Sequence, residues 1–195
     1  MSLLLRGWRR QVAALLFVVV GTISVPAHSV ELVANGGFES NTGVGTSVFT
    51  NWFVGVMLGT QGAFYAQTGN QPPFSRFVIA PPSRGSFSAT SDQIGPGTSV
   101  LYQDIAVPAS GQTVLSMRLF VQNQAEDYAV PASQSLDYAI VPNQQARVDI
   151  ISPAADALTV SVLANMFRTI PGDPQTQGYI TLVQDLTAFA GTTVR

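Results

Sequence analysis

The chain has 195 residues, nine arginines and eleven Asp and Glu, no lysine and no cysteine, and a formal net charge of −2. Its only histidine is His28, so most of the chain lacks an imidazole base, a Schiff-base amine, a reactive thiol and the usual ligands of structural zinc. Nucleophilic triads, P-loop chemistry and disulfide scaffolding are thereby set aside. Asp, Glu, Asn, Gln, Ser, Thr, Tyr and Arg remain as the chemistry-bearing residues.

The first segment reads as an export signal over residues 1–29. Arg6, Arg9 and Arg10 form a positive start, Val12 to Val20 an unbroken apolar run, and Ala27-His28-Ser29 a small-residue cleavage site, with cleavage expected after Ser29. The competing reading is an uncleaved anchor. The apolar stretch from Val12 to Val25 is about 14 residues, short of the roughly 20 that span a bilayer. Secretion to the extracellular or periplasmic space of a bacterium is therefore expected, with no stable membrane insertion after cleavage. Residues 30–195 then form one domain with six arginines against eleven carboxylates, a net charge of −5. Such a surface gives no electrostatic footprint for nucleic acid.

Short strands separated by Gly/Pro turns follow. Trp52–Met57, Arg76–Ala80, Ser86–Ala89 and Val100–Val107 are strand candidates. Val114–Gln122 alternates most cleanly, with Leu115, Met117, Leu119 and Val121 on one face and Ser116, Arg118, Phe120 and Gln122 on the other. Arg147–Ile151 repeats the pattern with Val148 and Ile150 inward, and these six apolar residues are the expected core. Leu158–Phe167 is ambiguous, Tyr179–Val183 is a strand, and Asp185–Phe189 is one helical turn capped by Asp185 and closed by Gly191. No segment beyond the signal holds a 3.6-residue period for more than a turn or two. The pattern predicts an all-β protein, a two-sheet antiparallel sandwich or jelly roll.

Three stretches carry a resemblance: Leu32-Val-Ala-Asn-Gly-Gly-Phe-Glu39 with Asn51-Trp52; Ser86-Phe-Ser-Ala-Thr-Ser-Asp92 with Gly95-Pro-Gly97 and Leu101-Tyr-Gln-Asp-Ile105; and Asp185-Leu-Thr-Ala-Phe-Ala-Gly191. In that order they resemble the galactose-binding-like jelly rolls, which include many carbohydrate-binding modules. The resemblance implies that the chain stops as a further strand begins, so that one or more final strands are missing. It also implies a structural calcium ion near the N-terminal motif. Only Glu39 carries over as a ligand, and one carboxylate does not fill a shell of six to eight oxygens. Asp92 reads more simply as a turn carboxylate accepting backbone N–H groups.

Polysaccharide binding would rest on exposed rings with amides beside them. Phe120, Gln122 and Asn123 lie at the end of the alternating strand, and Tyr128 and Tyr138 in the long polar insertion 123–145; these five are the candidate ligand-binding residues. Against this, the two tyrosines equally read as plugs that pin their own loop, and Trp52 as a core residue. The adjacent Glu126 and Asp127 point to opposite sides if extended, which offers no productive acid–base pair. The expectation is a secreted non-catalytic carbohydrate-binding module. The alternative is a structural or adhesion domain of a cell envelope without a small-molecule site.

Overall fold

A computed structural model describes residues 30–75, 77–139, 142–158 and 161–195. The expected export signal over 1–29 lies outside the described residues. Ten strands follow in chain order: β1 Phe53–Val56, β2 Gly62–Gln67, β3 Ser88–Gln93, β4 Ser99–Tyr102, β5 Ile105–Ala106, β6 Val114–Gln122, β7 Arg147–Ile150, β8 Ala164–Arg168, β9 Thr176–Asp185 and β10 Thr193–Val194. The only helical element among the described residues is a single 3-10 turn, Thr187–Phe189. Every ladder is antiparallel: β1 with β4, β2 with β3, β5 with β10, β6 with β9, and β7 with β8. The fold is all-β, hydrogen-bonded as five strand pairs, with β2 lying against β1 and β4, and β8 against β9.

The longest ladder forms where the alternation is cleanest. β6 runs from Val114 to Gln122 with Leu115, Met117, Leu119 and Val121 on its more buried side. Its register against β9 shifts between Leu119↔Ile180 and Val121↔Gln177, so Gly178 and Tyr179 together face Phe120. That bulge adds local twist and turns the Phe120 and Tyr179 rings toward each other, 5.6 Å apart. Val121 and Ile150 are buried, whereas Met117, Leu119 and Val148 are only half-buried. The buried cluster is Val107, Ile150, Leu186 and Val194, with Ile105, Leu115, Ala164, Met166 and Phe189 packed against it. The turn after β9 is shorter than expected: it spans Thr187–Phe189 with Leu186 at its N-cap and no side-chain cap, and Asp185 is the last residue of β9. Thr187 N donates to Asp185 Oδ1 at 2.8 Å, and Gly191 takes the left-handed φ of 76° that ends it.

Four strand expectations change. Val100–Val107 divides into β4 and β5, because the intervening Gln103 and Asp104 direct their side chains into long-range bonds instead of continuing a ladder. Phe77–Ala80 is irregular (Arg76 lies outside the described residues). Two prolines precede that segment and two follow it, and Ile79 N closes the loop on Asn70 O at 2.9 Å. β3 begins two residues after the expected Ser86 and runs on through Asp92, which is a buried strand residue and not a turn residue. Its Oδ2 still accepts backbone N–H groups, from Phe74 at 2.7 Å and Ser75 at 3.0 Å. The ambiguous Leu158–Phe167 stretch yields strand only from Ala164, with Thr159 and Val160 outside the described residues. β2 was not expected from the sequence. No helix among the described residues is long and apolar enough to cross a membrane.

Candidate functional site

The β1–β4 pair carries the most exposed aromatic surface that is also backed by a second ring. Register places Phe53 opposite Tyr102 and Gly55 opposite Val100. Residues two apart share a face, so Phe53, Gly55, Val100 and Tyr102 lie on one side of the ladder. The two rings stack with centroids 5.3 Å apart and an interplanar angle of 18°. Phe53 nevertheless remains 59% exposed. Gly55 leaves the ledge open beside them: a Cβ there would meet Val100 Cγ2 at 3.0 Å.

Two open depressions flank the stack. One, of about 330 Å³, lies among Gly55, Val100, Tyr102, Asp156, Leu158 and Arg195. The other, also about 330 Å³, lies among Leu32, Ala34, Asn51, Phe53, Gln103 and Asp104. Arg195 joins them. Its Nε donates to Asp104 Oδ1 at 2.7 Å and its NH2 to Oδ2 at 3.1 Å, a bidentate pair, while its Cζ lies 4.3 Å from the Tyr102 ring centroid. The hydrogen bond from Arg195 holds the Asp104 carboxyl below the usual carboxylate range, and the same bond raises the guanidinium. Arg195 is fixed in turn by its backbone, which exchanges two 2.9 Å bonds with Ile151.

The N-terminal motif frames this ledge. Gln103 is buried and binds three backbone groups: Ala34 N donates to its Oε1 at 2.8 Å, and its Nε2 donates to Ala34 O at 3.0 Å and Asn51 O at 2.7 Å. Asn35 adopts a left-handed φ of 52°, which Asn tolerates better than most residues. Its amide donates to Ser40 O and Thr50 O, and its Oδ1 accepts from Ser40 N. Half-buried Trp52 donates from Nε1 to Asn35 O at 3.1 Å and leans on Phe38, 5.1 Å between centroids. Phe38 itself has φ 60°, an unusual backbone for an aromatic residue, and its ring is held by Phe49 and Trp52.

The residues singled out from sequence fall in separate places. Phe120 is half-buried against Tyr179, whose ring also lies 5.3 Å from Arg118 Cζ and whose hydroxyl donates to Pro81 O at 2.8 Å. Gln122 follows on the same strand, paired with Thr176. Asn123 is buried and organises the insertion: its Nδ2 donates to Asp127 O, and its Oδ1 accepts from Ala125 N and from Gln144 Nε2. Tyr128 lies one residue beyond that knot, only 3% exposed, and burial raises its hydroxyl pKa. Tyr138 reaches elsewhere, donating to Leu58 O at 2.8 Å. Asp127 Oδ1 accepts from Tyr128 N and Gly172 N, so this carboxylate organises backbone.

Glu39 Oε1 accepts from Ser86 N at 2.8 Å and Phe87 N at 3.1 Å, fastening the first motif to the approach to β3. One carboxylate oxygen is then left for a cation. Among the described residues no group of three or more His, Cys, Asp or Glu is gathered around one point.

Phe53 and Tyr102 were not singled out from sequence. Phe53 sits in an apolar run beside Trp52, and only the β1–β4 register brings Tyr102 to it. The available signal was Gly55, a glycine inside a strand, which marks close approach of a ligand or backbone. No protein family, curated protein or solved structure matches this chain.

Proposed function

We propose that this chain is an exported, non-catalytic carbohydrate-binding module of the galactose-binding-like type, with a two-sheet jelly-roll architecture, acting in the extracellular or periplasmic space of a bacterium. The observation that carries the reading is the exposed Phe53 ring, stacked on Tyr102 and flanked by the Asp104–Arg195 pair. A pyranose presents apolar C–H groups on its faces and hydroxyls at its edge. A flat ring takes the face, and a carboxylate and a guanidinium beside it accept from and donate to the edge. The open depressions suit an extended polysaccharide better than an enclosed small molecule. The calcium ion implied by the resemblance takes no part in this reading.

The test is affinity electrophoresis or pull-down against insoluble and soluble polysaccharides, preceded by a glycan array. Phe53→Ala is expected to weaken binding about tenfold or more, from loss of roughly 1.5–3 kcal/mol of buried ring contact. Tyr102→Ala is expected to follow it. Binding that survives both substitutions but disappears in Phe120→Ala would move the site to the β6–β9 ladder. A second reading, an adhesion or structural domain, is favoured by the exposed apolar loop that carries Phe74, Phe77 and Val78. Absence of glycan binding together with concentration-dependent self-association would select it.

A further inference from the structure

The β7–β8 ladder places two arginines directly opposite each other, Arg147↔Arg168. Like charges in that position repel, and a fold keeps such a pair only with compensation. One carboxylate supplies part of it: Arg147 NH2 contacts Asp149 Oδ2 at 2.7 Å, with the two side chains only 6% and 13% exposed. The other oxygen of Asp149 accepts from Asn165 Nδ2 at 2.7 Å. Arg168 is exposed and has no ion-pair partner among the described residues. Arg147 Nε is buried and has no hydrogen-bond partner among them either. Arg147 thus takes the one carboxylate, Arg168 has none, and donors remain unused.

One residue reaches both arginines. Gln134 accepts from Arg147 NH1 through its backbone carbonyl at 3.3 Å and from Arg168 NH1 through Oε1 at 2.7 Å. It does so from a left-handed backbone, φ 54°, held by a turn in which Gln134 N donates to Pro131 O at 2.8 Å. The Oε1 of this exposed residue therefore stands where an oxygen of an anion would meet Arg168, with Arg147 held behind it on the Gln134 carbonyl.

We propose that Arg147 and Arg168 form an oxyanion site, latched by Gln134, that takes a carboxylate or sulfate group, either on an acidic sugar or as a free anion. The anion displaces the Gln134 amide from Arg168 and supplies the counter-charge that Arg168 lacks, while Arg147, paired with Asp149 and held on the Gln134 carbonyl, backs the site with its positive charge. The site stands on the β7–β8 ladder and does not depend on the Phe53 ledge. Its extension to sugars rests on the carbohydrate reading above.

The experiment is titration of the purified chain with sodium sulfate, sodium galacturonate and galactose at constant ionic strength, followed by amide and guanidinium NMR shifts. Saturable shifts at Gln134 and Arg168 are expected with an anion and not with galactose. Saturation by galacturonate assigns the anion to a sugar; saturation by sulfate alone assigns it to free anions, and either supports the site. Arg168→Gln is expected to weaken binding about tenfold or more, as loss of a charge-assisted contact does. Gln134→Gly removes the internal competitor and relaxes the backbone, so it is expected to tighten binding. The proposal fails if neither anion gives a saturable shift, or if Arg168→Gln responds as the parent chain does. Phe53→Ala leaves sulfate binding intact, which separates failure of this site from failure of the ledge.

Discussion

Replacing Gln103 by Ala removes three hydrogen bonds at once from a buried position. The side chain accepts from Ala34 N at 2.8 Å and donates to Ala34 O at 3.0 Å and Asn51 O at 2.7 Å. Ala34 lies 69 residues away and Asn51 lies 52 away, so no local turn restores these contacts. At about 1 kcal/mol net per bond the loss is about 3 kcal/mol, before any cavity left by the missing side chain. For a chain of this size that corresponds to a fall in melting temperature of roughly 6–12 °C. Gln103→Glu is the informative companion. It keeps the shape but cannot donate to either carbonyl, and it buries a charge, so it is expected to be at least as damaging. Circular dichroism on heating reads both variants against the parent chain. A Gln103→Ala protein that melts within about 2 °C of the parent would refute the claim that this amide fastens the N-terminal motif to the ledge.

Other outcomes follow from single contacts. Gly59→Ala places a Cβ at 2.5 Å from the Tyr138 hydroxyl on a backbone with φ 86°, so it is expected to cost about 1–2 kcal/mol in chemical denaturation. Tyr138→Phe loses one bond to Leu58 O and should cost about 1 kcal/mol. Glu39→Gln retains an acceptor for Ser86 N and Phe87 N and should melt close to the parent, whereas Glu39→Ala should melt lower. Asp104 has a folded pKa depressed by the Arg195 hydrogen bond. Its stabilising effect is therefore complete above the unfolded value of about 3.9 and is lost as pH falls through the lower folded value. The side chain is 39% exposed, so the contribution is held to about 1 kcal/mol or less. The stability difference between the parent and Asp104→Asn should shrink on acidification below about pH 4, and a difference that grows instead would contradict the sign.

What was legible in the sequence was whatever local periodicity controls. β6 matches its expected bounds from Val114 to Gln122 because its polar and apolar residues alternate without interruption. β7 follows from its alternation, and the short turn before Gly191 from a carboxylate that accepts the Thr187 N–H and a left-handed glycine, although Asp185 ends β9 and does not cap the turn. β2 was missed because Ala63, Ala66 and Gln67 are its buried residues, a pattern without a period of two. Phe77–Ala80 misled for the opposite reason. It has strand composition, but no partner ladder captures it between the flanking prolines.

The site residues divide along the same line. Asn123 stood out as an amide near Phe120 and Tyr128 as a ring in the long polar insertion; the Asn123 side chain bonds within that insertion, and Tyr128 is buried. The Asn123 side chain suits that task because a long insertion must satisfy its backbone without a ladder, and a short amide both donates and accepts. The ledge instead depends on separation. Phe53 meets Tyr102 only through strand register, and Arg195 reaches Asp104 across 91 residues. Neither contact leaves a mark on the local pattern, since a paired aromatic and a lone arginine read as ordinary strand and surface residues. The arginine pair on β7 and β8 is similarly invisible until the register sets Arg147 against Arg168. In a chain so poor in charge, with 10% Asp, Glu, Lys and Arg, each such placement is costly to leave uncompensated. Arg168, exposed and latched by Gln134 without an ion-pair partner among the described residues, is therefore the position where substitution should separate binding from folding, whereas loss of Arg147 from its nearly buried pair with Asp149 should cost stability as well.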